Sequence, residues 1–450
     1  MPLMFSPNEL ELMRKVKSVF DPDGILNPGK VFPPEKTATA EVKESKAMPA
    51  SPYDKTNSLS EELIKTLGSE KVLADPRELA LYQVDGKLPS LVVFPADTDQ
   101  VCQIVRAANR AGIPITPRGN GSKQAMGLPL DKIGIVLSLQ RMNHLLELDT
   151  PNLTVKVEAG VNCAELQREL AKHNLNFPLE PEDMKSATIG GSLAANSSGP
   201  GRLAHGTARD LVLGITVVTP CGEVIHAGGK TMKNVAGYDL RKLFFGSWGT
   251  LGIITQAILR LSYLPEEHKT LLLRFSDIKD ASRLVSQISN SFLRPESMEL
   301  IDYASAQSLE AKPDFEFQEG ELLLLIGIAG SKEIIERHIT DIQALGKASK
   351  VREVAVLSGA EEKKAWANQQ RIYLSSLDAT TGTIRGKAVV PLNLTEDMLY
   401  KIQETAATHR LNIGTTGRAG NGILYSLIPI RNNAQNSEVL SAIAELSRSA

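Results

Sequence analysis

Cysteine is scarce in this 450-residue chain: Cys102, Cys163 and Cys221 are the only three. So few and so scattered, they build no disulfide framework, zinc knuckle or iron–sulfur cluster, and they read as buried or incidental thiols. Long apolar runs are missing too. The longest, near Leu322 to Ala329, is less than half of the ~20 residues that span a bilayer, and the N-terminus carries no apolar leader stretch. A cytoplasmic protein without a transmembrane segment is expected. Neither sign of charge is in excess, and a net charge of −2 offers no field to attract a polyanion, so nucleic acid is not an expected partner. The seven histidines show neither H-x-H nor H-E-x-x-H spacing, and no metal is expected.

What the chain has is length and glycine. At 450 residues it exceeds one ordinary core, and two or three domains are expected. Residues 9–20 carry the spacing of a short amphipathic helix, followed by the turn sequences Asp21-Pro22-Asp23-Gly24 and Asn27-Pro28-Gly29. A stretch rich in Pro, Ala, Ser, Lys and Glu follows without apolar periodicity, and 33–57 reads as a flexible linker with a root-mean-square span of about 28 Å. From Leu59 onward helix and strand signals alternate. They predict a helix at 61–67, a strand at 91–94, and a helix capped by Asp97 or Thr98 with Val101, Ile104, Val105 and Ala108 on one face. Strands at 113–116, 133–139 and 153–158, a helix at 163–173 capped by Asn162, and a hairpin turning at Pro220-Cys221-Gly222 continue the series.

After Pro265 the order becomes strand 270–275, helix 277–291, strands 297–302 and 321–328, helix 331–345 and strand 351–357, a ferredoxin-like β-α-β-β-α-β series. A helix near 359–376, a strand near 384–390, a helix at 395–409, a strand pair around Gly420-Asn421-Gly422 and a helix at 436–447 complete the chain. The expected organisation is therefore a segment 1–32, a linker 33–57, a domain 58–264 and an α+β domain 265–450.

Four glycine-rich stretches stand in the first large domain. Pro117-Arg118-Gly119-Asn120-Gly121-Ser122 follows a short buried strand, and its glycines free the backbone to present successive N–H groups to an anion. The stretch Thr188-Ile189-Gly190-Gly191-Ser192-Leu193-Ala194-Ala195-Asn196-Ser197 has side chains small enough for a ligand to lie against backbone. Gly228-Gly229-Lys230-Thr231 invites a P-loop reading, but the earlier glycine of that motif falls on Val224, which rejects it. Lys233-Asn234-Val235-Ala236-Gly237-Tyr238-Asp239-Leu240 runs on into Gly246-Ser247-Trp248-Gly249-Thr250-Leu251-Gly252-Ile253-Ile254-Thr255. A turn or close packing explains any one of these stretches; it explains the ordered set poorly.

In that order, together with His205-Gly206-Thr207 and Arg209-Asp210, the motifs resemble the FAD domain of the vanillyl-alcohol oxidase/p-cresol methylhydroxylase flavoproteins, and within them most closely the FAD-binding subunits of bacterial glycolate oxidases (glycolate dehydrogenases). The resemblance covers about 58–264. It implies an α+β fold, a p-cresol methylhydroxylase-type two-part FAD-binding domain followed by a ferredoxin-like cap or substrate domain. It further implies that Pro117 to Ser122 and Thr188, Ile189, Gly190, Gly191, Ala194, Asn196 and Ser197 hold the FAD diphosphate and ribose, with Gly206, Thr207, Gly252 and Ile254 along the rest of the channel. Covalent members often have a flavin-linked histidine after the Arg-Gly-x-Gly loop; Ser122 stands there, which implies non-covalent FAD.

The implied activity is oxidation of a small 2-hydroxy acid, glycolate to glyoxylate, which needs an acceptor for the hydroxyl proton and a cation for the carboxylate. The second domain lacks the G-D-G-N-x-H and H-G-x-G motifs of catalytic relatives, so no catalytic residue is assigned. His205 reads as structural, and Arg371 and Arg385 as surface charges that could bind a carboxylate. The missing motifs favour a subunit working beside a catalytic flavoprotein and an iron–sulfur subunit, which could also bring it to the membrane periphery. A self-sufficient dehydrogenase of the lactate type and a non-catalytic assembly subunit are the alternatives. Asp21 to Lys30 resembles a segment that closes the C-terminus of the catalytic subunits; here it is either an inert remnant or folds back to bring Asn27 and Lys30 near the flavin.

Overall fold

Several helix starts in this chain are marked by capping side chains. Ser6 accepts from the Glu9 N–H and Glu9 returns the bond to the Ser6 N–H, with Pro7 next in line. Asp97 and Asn162 do the same duty for the helices after them. The computed structural model describes residues 6–32, 52–231, 237–307, 317–375, 382–430 and 436–449. Contacts divide the chain into two units: residues 1–197 with 207–263, and 198–206 with 264–450.

The first unit opens with α1 (Pro7–Phe20) and α2 (Pro52–Leu67), so residues 52–57, read above as linker, are helical. The remainder of that linker, 33–51, lies outside the described residues. Then come β1 (Val72–Leu73), α3 (Pro76–Leu79), β2 (Leu91–Val93), α4 (Thr98–Ala111), β3 (Ile115–Arg118) and β4 (Ile135–Ser138). These strands form a four-stranded sheet in the order β1-β2-β4-β3, parallel except at β1. β5 (Leu145–Asp149), β6 (Thr154–Glu158), α5 (Cys163–Ala171), β7 (Leu175–Asn176) and α6 (Ile189–Ala194) follow. After α7 (Arg202–His205), which belongs to the second unit, the chain continues through α8 (Ala208–Leu211), β8 (Val212–Val218), β9 (Val224–Gly228), α9 (Arg241–Phe244), β10 (Ile253–Arg260) and β11 (Ser262–Tyr263). A second, antiparallel sheet runs β5-β6-β10-β8-β9. One core joins both parts: Val101, Ile104 and Val105 from α4 and Val155, Val157, Val217 and Ala257 from the second sheet belong to the same buried cluster.

The second unit contains β12 (Glu267–Phe275), α10 (Ile278–Ser289), β13 (Ser297–Asp302), α11 (Tyr303–Gln307), β14 (Leu322–Gly330), α12 (Lys332–Ala348) and β15 (Glu353–Leu357). It continues with α13 (Gly359–Ser375), β16 (Thr383–Val389), α14 (Thr395–Thr408), β17 (Gly414–Arg418), β18 (Ile423–Pro429) and α15 (Asn436–Ser449). Its seven strands make one antiparallel sheet, β15-β12-β14-β13-β17-β18-β16. The first four have the ferredoxin-like order. The last three repeat it as β-α-β-β-α without a fourth strand, and the halves meet where β13 pairs with β17.

Burial on both faces explains the unbroken apolar run of β14. Leu322, Leu324 and Ile326 join the helices α10, α12 and α14, while Leu323 and Leu325 join Ala365 and Ile372 of α13. Among the described residues no helix is long and apolar enough to cross a membrane.

Candidate functional site

In the first unit the glycine-rich loops surround a cavity of about 890 Å³, counted to its open mouth. Pro117, Arg118, Gly119, Asn120, Gly121 and Ser122 all line it, with β3 delivering the loop. Thr188, Gly190, Gly191, Ala194 and Ser197 line it from α6 and its flanks, and Gly252 and Ile254 from the entry to β10. Ile189 instead points into the core, fully buried, and Asn196 stands outside the lining with a left-handed φ of 48°. Gly206 ends α7 and Thr207 caps α8 through Asp210; neither lines the cavity. Lys233 to Ala236 of the fourth stretch lie outside the described residues.

Local packing shows why glycine is required. A Cβ on Gly119 would stand 2.2 Å from the Thr188 hydroxyl oxygen, which caps α6 through the Gly191 N–H. A Cβ on Gly190 would stand 2.6 Å from that of Ala159. Gly191 is different: it is exposed, and its Cβ would meet only the Thr188 hydroxyl, at 3.0 Å. Here the missing side chain leaves open cavity.

Three cations approach the space. Arg118 donates to the Gln124 side chain at 2.5 Å and stacks over Tyr82 at 5.1 Å from the ring centre, and burial lowers its pKa. Lys123 donates to the Ser197 hydroxyl at 2.7 Å and pairs with Glu182. Lys30 is buried, donates to the Gln124 carbonyl and lies 3.6 Å from Asp85; burial lowers its pKa and Asp85 opposes the shift. Asn27 lines the same cavity, with its amide donating to the Trp248 carbonyl at 2.7 Å. Arg118, Asn27 and Gln124 each keep a buried polar atom (Nε, Oδ1 and Nε2) with no hydrogen-bond partner among the described residues. Such atoms cost about 1–3 kcal/mol each when left unmatched, and a polar ligand in the cavity would relieve them.

Sequence reasoning did not single out Lys123, Gln124, Trp248 or Gly249 as lining residues. Lys123 and Gln124 extend the first quoted loop by one and two positions, and Trp248 and Gly249 lie within the fourth quoted stretch, so those motifs were the available signal. Asn27 and Lys30, one of two readings of the N-terminal segment, are brought to the cavity.

In the second unit His205 faces Glu296 at 3.0 Å, Glu296 faces His268 at 2.6 Å, and His268 also pairs with Glu362. Burial disfavours the Glu296 charge, but hydrogen bonds from both histidines outweigh it and hold the carboxyl at about 2. Burial likewise disfavours the His268 charge, and the two carboxylates overcome it, raising the imidazole to about 9. Arg371 is exposed, whereas Arg385 is half-buried over the Tyr425 ring at 5.3 Å. No group of three or more His, Cys, Asp or Glu among the described residues could hold a metal. Cys102 and Cys163 are buried, and burial pushes the Cys163 thiol up to about 11, where it is chemically quiet; Cys221 is exposed.

Residues 89–228 match the sequence model of an FAD binding domain. Residues 1–31 and 264–449 match that of the C-terminal domain of FAD linked oxidases. The chain is 34% identical over 400 residues to the glycolate oxidase subunit GlcD of Bacillus subtilis, covering 87% of this chain and 85% of that one. The chain belongs to the FAD-linked oxidase family. It is an oxidoreductase, and FAD is its cofactor. A D-lactate dehydrogenase of Archaeoglobus fulgidus is 30% identical, with 74% of each chain covered. Among solved structures, p-cresol methylhydroxylase superposes with a TM-score of 0.69 at 16% identity, covering 87% of each chain. Alkyldihydroxyacetonephosphate synthase gives 0.67 at 21% identity, over 91% of this chain and 82% of that one. These last two likenesses show the fold: α+β, of the p-cresol methylhydroxylase type.

Proposed function

We propose that this FAD-linked oxidase holds FAD non-covalently in the first-unit cavity as one subunit of a complex that oxidises glycolate to glyoxylate, working beside a catalytic flavoprotein and an iron–sulfur subunit with electrons passed between the subunits. The coarser activity is FAD-dependent oxidation of the CH–OH group of a 2-hydroxy acid. The observation that carries the placement of the cofactor is the cavity: a glycine-lined space whose walls keep three buried polar atoms in need of partners. Residues 117–122 and 188–191 would lie along the diphosphate and ribose, with their glycines letting backbone N–H groups approach closely. Arg118 and Lys123 would supply the positive charge that a diphosphate needs. FAD, when bound, supplies the hydride acceptor for substrate oxidation. Ser122, at the position where covalent relatives carry histidine, supports non-covalent attachment.

The glycolate reading is supported by similarity to the glycolate oxidase subunits of Bacillus subtilis and Escherichia coli, the latter at 26% identity. A second reading, a self-sufficient dehydrogenase, is supported by the similar D-lactate dehydrogenases. A purely structural subunit fits poorly with an intact glycine-lined cavity whose walls hold unmatched polar atoms.

The visible spectrum of purified protein, before and after denaturation, is the first test. Flavin bands that leave the polypeptide on denaturation are expected. Protein without flavin bands even after addition of FAD would refute the cofactor site, and colour retained by the denatured chain would refute non-covalent attachment. Anaerobic addition of glycolate or D-lactate to the isolated chain separates the two substrate readings: bleaching by D-lactate without any partner favours the self-sufficient enzyme.

A further inference from the structure

The N-terminal segment was free to be an inert remnant, and its contacts are not those of one. Although it matches the model of a C-terminal domain, residues 6–32 pack in the first unit. Leu26, fully buried, forms a parallel bridge to Ile115 on β3, with the Asn27 N–H donating to the Ile115 carbonyl and the Ile115 N–H to the Ile25 carbonyl. Phe20 meets Phe244 edge-on at 5.7 Å. The Asp21 carboxylate is buried and accepts from the N–H groups of Ile25 and Leu26 and from Lys17.

Two of the loops that wall the cavity are held by this segment. Lys17 donates to the Thr250 carbonyl at 2.6 Å and to the Leu26 carbonyl at 3.2 Å, and Asn27 donates to the Trp248 carbonyl. Trp248 is itself in a left-handed conformation, φ 56°, which a non-glycine residue keeps only when its surroundings hold it there. The other loop is gripped through Lys30, whose side chain reaches the Gln124 carbonyl and whose own carbonyl accepts from the Leu128 N–H, and through Pro28, whose carbonyl accepts from the Asp131 N–H. The backbone bonding to β3 is short, a single bridge with two hydrogen bonds, so the attachment is by side-chain latches more than by a ladder.

We infer that residues 6–32 are a retention strap for the cofactor. Asn27 and Lys30 supply polar contacts in the cavity; the Lys17–Asp21 latch and Asn27 keep the 247–252 loop, and Lys30 and Pro28 the 117–131 loop, in the conformation that holds FAD. This rests on the proposal that FAD occupies this cavity. Release of the cofactor then requires the strap to let go, and the off-rate reports the docking equilibrium of the strap.

The test measures the rate at which bound flavin leaves, followed by the rise of free-flavin fluorescence on dilution. One variant carries a protease site inserted between residues 33 and 51, so that cutting it frees the strap without changing any residue that touches the cavity. A second, Lys17→Met, removes the latch cation while keeping its length. Hydrogen bonds to a charged group support an increase in the off-rate of about tenfold or more for Lys17→Met. Cut and gel-filtered protein should release faster still, and a synthetic peptide of residues 6–32 should restore slow release. Equal off-rates for intact, cut and Lys17→Met protein, all holding FAD, would overturn the strap and leave the cofactor site standing. Intact protein that takes up no FAD would instead overturn the site on which the strap rests. Thermal melting of each variant identifies misfolded protein, and a cut protein that melts as the intact one does while keeping its flavin counts against the strap.

Discussion

Gly190 and Gly191 are adjacent on α6, yet a side chain at each should have opposite consequences. A valine at Gly191 enters open cavity, where only the Thr188 hydroxyl lies near the new Cβ. Its effect on the stability of the apoprotein should be small, because the gain over glycine in helix propensity is set against the 3.0 Å approach to the capping Thr188 hydroxyl. The cost falls on the ligand. A valine keeps the cofactor away from backbone N–H groups, and losing a hydrogen bond to a charged group is worth about 1.5–3 kcal/mol, or roughly 10- to 150-fold in Kd. Titrating the apoprotein with FAD and following flavin fluorescence measures that loss, with a thermal melt of the same sample as the check on folding. Gly229→Ala is the control, since Gly229 does not line the cavity and has nothing near its absent Cβ. A folded Gly191→Val protein that binds FAD within about threefold of wild type, well below the range calculated above, would refute placement of the cofactor against α6.

Gly190→Ala should act on the fold, because Ala159 offers no flexible end to move aside: about 1–3 kcal/mol of overpacking, read as a lower Tm for the first unit. In the second unit, Glu299 is fully buried and accepts from Gln369 at 2.7 Å and Tyr373 at 2.9 Å beside Arg418. Glu299→Ala should cost about 3–5 kcal/mol in urea unfolding, the usual penalty for breaking a buried charged pair. The His268–Glu296 pair predicts a stability plateau with two edges. Glu296 is lowered from 4.5 to about 2, so its contribution is complete above 4.5 and fades as pH falls toward 2. His268 is raised from 6.5 to about 9, so its contribution is complete below 6.5 and is lost as pH rises through 9. Thermal melts from pH 3 to 10 should show both edges in wild type, and His268→Gln should lack the alkaline one.

Much of this fold is legible in the sequence because its signals are local. The loops at 117–122 and 188–197 reveal themselves through glycine and small residues, and the ferredoxin-like series through alternating apolar periods closed by capping residues. What escaped is of two kinds. β5 was missed because none of its residues is buried and they mix acidic with apolar types, so no clean alternation survives. The start of α2 was missed because Pro-Tyr-Asp-Lys-Thr-Asn-Ser is a weak helix-forming string. The second kind is long-range. Nothing near residue 27 announces a bond to Trp248, and nothing near His205 announces Glu296, since each partner lies far away in the chain. The site was therefore readable as loops, and the lining that the N-terminal segment adds was readable only as one of two possibilities.

Because Asn27 bonds to a residue 221 positions later, this segment leaves the ribosome well before the loop that receives it has been made. At about 5–20 residues per second, the interval between the two is roughly 10–45 s. Throughout that time the hydrophobic patch around Ile25 and Leu26 has no completed slot to enter. The cavity thus acquires its final wall only after nearly the whole first unit has been made, and the order of synthesis leaves the pocket incomplete while the loops that line it are still folding.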